Sequence, residues 1–110
     1  MSRVEAVPDN VEFSVATANT EVTINVQNNS SLTSANDTAT QKYTDSNKTR
    51  HRYVVGADKA ILITKYNGVA LTDPRTVVAG LTFGETDIEN LVSITIKTQQ
   101  DTTAVHCFVR

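Results

Sequence analysis

The sequence predicts a mainly β protein: an antiparallel meander sheet with an N-terminal hairpin, in a single domain spanning residues 1–110. Three observations carry this. Thr and Val together supply 17 and 14 of the 110 residues, and their branched side chains fit a pleated, half-buried surface. Apolar and polar residues alternate with period two in several short runs. Turn signals punctuate those runs.

The first strand is Val11, Phe13 and Val15, which alternate with Glu12 and Ser14. "ANT" interrupts it. Val22, Ile24 and Val26 then alternate with Glu21, Thr23 and Asn25. Two such runs with a short polar link predict a hairpin. Residues 27–41, "QNNSSLTSANDTATQ", hold only Leu32 and two Ala as apolar groups. So little apolar surface predicts a long loop with at most one short edge strand. Residues 48–55, "KTRHRYVV", read as a strand, "GAD" as a turn and "KAILITKY" as the next strand. "NG" at 67–68 is a hairpin turn, because both residues tolerate positive φ. "VALT", a "DP" turn and a strand "RTVVAGLTF" follow, with Gly80 marking a bulge or a close approach.

The C-terminal segment has two readings, a short helix or a further β-hairpin. Thr86 and Glu89 fit a capping box. Ile88, Leu91, Val92, Thr95 and Ile96 then recur at helical spacing. Equally, Val92, Ile94 and Ile96 alternate with Ser93 and Thr95, and "TAVHCFV" after "QQD" supplies a partner strand. Both readings stay open at this point.

Composition bounds the function. A chain of 110 residues builds one core and one domain. The single cysteine, Cys107, lies in "AVHCFV" and reads as a small buried hydrophobe. The first ten residues lack the apolar stretch of a secretory signal. No run approaches the ~20 apolar residues of a membrane span. Synthesis and folding in a host cytoplasm are expected, and the N-x-S/T sites at Asn28, Asn29, Asn36 and Asn47 are read as chance. No Gly-rich phosphate loop and no metal-ligand spacing of Cys and His occurs, so no metal, no cofactor and no enzymatic activity is expected. Glu85, Asp87 and Glu89 read as helix-start charges rather than as an acid–base pair.

The net charge of −2 hides an asymmetry. Seven cations and three acids fall in residues 42–75, while both flanks are acidic. Side chains two apart on a strand share a face. Lys48, Arg50 and Arg52 therefore line one side, and Thr49, His51, Tyr53 and Val55 the side expected to face the core. Lys59 and Lys65 share parity on the following strand. If the two strands pair, five cations form one surface that attracts phosphates, with affinity falling as salt rises.

The order of "VEFSVATANTEVTINV", "NKTRHRYVV", "KAILITKY" and "DPRTVVAGLTFGETDIENL" resembles the coat proteins of single-stranded RNA bacteriophages. That resemblance implies a sheet continuous across a homodimer, C-terminal helices over its outer face, and RNA on its inner face. It places Lys48, Arg50, Arg52, Lys59 and Lys65 on the RNA-binding side. The expectation is a virion structural protein, a self-assembling capsid coat subunit with packaged RNA as its other partner. Two alternatives are a cement protein that decorates a DNA-phage capsid as a trimer, and a small β-sandwich module that binds glycan or protein. A C-terminal β-hairpin favours the cement protein; a helix from residue 86 favours the coat.

Overall fold

A computed structural model describes residues 9–26, 32–33, 38–41 and 50–109. The described residues form ten strands: β1 (Asp9–Val15), β2 (Glu21–Asn25), β3 (Leu32–Thr33), β4 (Thr38–Gln41), β5 (Tyr53–Ala57), β6 (Ile61–Tyr66), β7 (Val69–Val77), β8 (Thr82–Glu85), β9 (Ser93–Thr98) and β10 (Thr103–Val109). The protein is mainly β and antiparallel, and no helix occurs among the described residues.

The strands form two sheets. Sheet A runs β4-β1-β10-β5-β8 and sheet B runs β3-β2-β9-β6-β7. Chain-consecutive strands hold matching places in the two orders: β4 with β3, β1 with β2, β10 with β9, β5 with β6, β8 with β7. Each of these five links therefore carries the chain from one sheet to the other. Without the short β3 and β4 edges, two four-stranded antiparallel sheets remain, and this is the strand order of a jelly roll.

The physical reason lies in the apolar faces. Phe13 and Val15 on β1, and Val22 and Ile24 on β2, are all buried. A two-stranded hairpin would leave that surface wet on one side. Crossing between sheets sets the two faces against each other, and each buried Val or Ile then contributes about 1.5–3 kcal/mol. The predicted N-terminal pair therefore exists as two strands but not as sheet neighbours. Val55, Val105, Cys107 and Val109 from sheet A meet Ile61, Ile63, Val77, Ile94 and Ile96 from sheet B in one core.

The C-terminus takes the β reading. β9 and β10 lie either side of the turn at 99–102, and they too enter different sheets. The expected helix start fails at Asp87, whose φ is +60°, a left-handed value that cannot open a right-handed helix. Residues 86–92 are instead pinned by other segments. Ile88 N donates to His51 O at 2.9 Å, and Leu91 N donates to Arg50 O at 3.0 Å.

Two turn assignments shift. Asn67 (φ +52°) and Gly68 (φ +79°) do form the β6–β7 turn. β7, however, continues through Asp73 and Pro74, where a turn was expected. Pro74 is tolerated because β7 is an edge strand. The break falls later, at Gly80 (φ +78°), and splits "RTVVAGLTF" between β7 and β8. The span read as a loop contains the short edge strands β3 and β4.

Candidate interaction surface

Among the described residues, the cations singled out by spacing do not form one face. Lys48 lies outside the described residues. Arg50 precedes β5 and is 1% exposed; its Nε donates to Val26 O at 3.0 Å. It acts as an internal tie because the regular strand begins only at Tyr53, so the two-residue parity does not extend back to it. Arg52 is exposed. Lys59 sits in the β5–β6 link, with Nζ donating to Asp101 O at 2.8 Å and Thr102 O at 2.9 Å. Lys65 is on sheet B and pairs with Glu21 at 3.6 Å.

The reason is topological. A common face required β5 and β6 to be neighbours, whereas they lie in opposite sheets. The opposite parity is right where β5 is regular: Tyr53 and Val55 are buried. His51 is exposed, and its Nδ1 lies 2.9 Å from Ile88 O.

The outer face of sheet B is polar and mixed in sign. Glu21 stands opposite Lys97 in the β2–β9 register and is also paired with Lys65. Thr23 and Thr95 share a hydroxyl hydrogen bond of 3.0 Å. A register shift between Ile63 and Lys65 marks a bulge in β6. It leaves Tyr66 packed against the core, where its hydroxyl hydrogen-bonds that of Tyr53. The Tyr53 hydroxyl also donates to Glu85 Oε1 at 3.2 Å. Burial, then the Tyr66 contact and Glu85, drives the Tyr53 phenol far above its usual range. Burial and Glu85 push Tyr66 up to about 12. At neutral pH both are neutral hydrogen-bonding struts between the sheets.

The outer face of sheet A has a different character. Because Phe13, Val15, Val55, Val105, Cys107 and Val109 point inward, the alternate positions point out. One row reads Glu12, His106, Gly56, Thr82 across β1, β10, β5 and β8. The next reads Phe108, Val54, Gly84. Phe108 and Val54 are each 38% exposed. The His106 and Phe108 rings meet edge-on at 5.8 Å. A Cβ at Gly56 would stand 2.9 Å from His106 Nε2 and from Leu81 O, so the glycine lets the imidazole lie across the sheet. Leu81 and Val78, at the adjoining β7–β8 turn, are 60% and 56% exposed. Among the described side chains of these rows, Glu12 is the one acid.

Spacing singled out none of this surface. In "TAVHCFV" both parities are largely apolar, so the inward set was not distinguishable from the outward one. The usable signal was the missing charge: neither Val54 nor Ala104, His106 and Phe108 carries a fixed charge, although their strand neighbours fill the core.

Comparison of the chain with protein-family models, with curated proteins and with solved structures found no match in any of the three.

Proposed function

We propose that this chain is a virion structural protein: a subunit that self-associates to build or decorate a capsid. The observation that carries the proposal is the strand order, β1-β10-β5-β8 over β2-β9-β6-β7. It is a jelly roll, an architecture on which capsid domains are built repeatedly. The charge-poor outer face of sheet A supports the proposal, since a surface of that kind suits contact with protein.

The RNA-phage version of the reading is not retained. It required one continuous sheet, C-terminal helices and a shared cationic face, and the described residues have two packed sheets, a C-terminal β segment and dispersed cations. Strand on both sides of residues 99–102 favours the cement alternative. Tyr53 is 1% exposed and turned into the core, so it presents no surface ring to a glycan.

Electron microscopy and light scattering of the purified chain test the proposal. Closed shells, or a defined oligomer that binds a capsid lattice, are expected. A species of 12.0 kDa at every concentration would overturn it.

A further inference from the structure

We infer that the outer face of sheet A is the contact between two copies of this chain, related by a two-fold axis running along β10. The inference rests on the self-association proposed above and names the surface that performs it.

β10 is the central strand of sheet A, with two strands on either side. A two-fold axis along it, midway between two facing copies, sets β1 of one copy over β5 of the other. Residues of β10 meet their own counterparts. The Phe108 side chains then pack together on the axis, flanked by Val54 from both copies. The row Glu12, His106, Gly56, Thr82 faces the same row reversed. Glu12 of each copy comes over Gly56 of the other, which that copy's own His106 imidazole covers. There it stands beside the other copy's His106. The operation thus sets the acid of that row beside an imidazole and not against its own counterpart. Closed pairing of this kind is the commonest symmetry of homo-oligomers.

The area fits a second copy better than a large foreign partner. Five strands at ~4.8 Å and five to seven residues at ~3.4 Å give a face of roughly 24 by 20 Å. Pairing two such faces removes on the order of 1,000 Å² from water, the low end for a specific contact. The dimer is therefore reversible, and further contacts elsewhere on the subunit complete an assembly.

Single cysteines test the axis. The native Cys107 is fully buried and does not compete. Facing sheets stand ~10 Å apart, beyond a disulfide's ~7 Å Cα reach, so the reagent is a short bis-maleimide. Ala104→Cys, on β10, places the two thiols opposite each other. Thr82→Cys, two strands away, places them about 20 Å apart laterally. The expected result is a covalent dimer from Ala104→Cys and none from Thr82→Cys. In parallel, Val54→Lys should weaken the dimer by about tenfold or more, with an unchanged melting temperature at dilutions where both proteins are monomeric. Lys97→Glu, on the opposite face, should leave it unchanged. If the unmodified chain is oligomeric but Ala104→Cys does not cross-link, or Thr82→Cys cross-links as well, the assigned surface is wrong and self-association stands. If the chain is monomeric throughout and neither variant cross-links, both fall.

Discussion

Replacing Asn67 should expose how residues 90–93 are held in the absence of a helix. Asn67 occupies the tight β6–β7 turn at φ +52°. Its Oδ1 accepts from Val92 N at 2.7 Å and Ser93 N at 3.1 Å. Its Nδ2 donates to Asn90 O at 2.9 Å. Three such bonds are worth ~1 kcal/mol each at most. The site is exposed, so water replaces part of that, and about 2 kcal/mol remains. Asn67→Gly loses this and keeps the left-handed backbone at little strain. Asn67→Ala loses it and adds about 1 kcal/mol of strain, for a total near 3 kcal/mol. Asn67→Asp keeps the acceptor but turns a carboxylate toward Asn90 O, costing about 1 kcal/mol. Urea unfolding midpoints should therefore fall in the order native, Asp, Gly, Ala. At the scale of small domains 3 kcal/mol lowers the melting temperature by roughly 12 °C or more. Gly and Ala variants within about 0.5 kcal/mol of the native chain would show that Asn67 does not secure the segment.

Other perturbations separate internal ties from surface charge. Arg50→Ser should cost about 3 kcal/mol, read by chemical denaturation, because it leaves Val26 O without its buried donor; Arg52→Ser, on an exposed site, should change stability by less than about 0.5 kcal/mol. Alkaline pH should destabilise the fold. Tyr66 and Cys107 titrate near 12 in the folded chain, against ordinary values of 10.0 and 9.0, and Tyr53 is raised further. Above pH 9 the unfolded chain releases protons that the folded chain keeps, so their stabilising contribution is full below that point and drains away through pH 12. Melting temperatures from pH 8 to 11 should fall, and less steeply for Cys107→Val with Tyr66→Phe; a flat profile for the native chain would contradict the burial assigned to these groups. Gly84→Ala should destabilise the β5–β8 pair, since a Cβ there would clash with Tyr53 O; native-like unfolding of that variant would mean the edge strand sits further out.

Alternation made the strands legible because period two is a local property. Phe13, Val15, Val22 and Ile24 all turn inward as their spacing requires. Pairing was not legible, since the same alternation serves a hairpin and a sandwich equally well. The choice between them depends on what covers Phe13 and Ile24, and that partner is remote in sequence. The capping box at Thr86–Glu89 was a true local signal overridden by tertiary ties from His51, Arg50 and Asn67. The cationic surface failed for a related reason. Spacing two apart gathers side chains on one face only inside a regular strand, and Arg50 lies before the strand begins. The outer face of sheet A went unseen because an exposed apolar position and a buried one look alike when both parities lack charge.

Sedimentation equilibrium of the native chain beside its Val54→Lys variant bears most directly on the account. A reversible concentration-dependent rise above 12.0 kDa in the native chain, shifted to about tenfold higher concentration by the variant, is predicted. Superimposable curves for the two proteins, or a native chain that never exceeds the monomer mass, would contradict it.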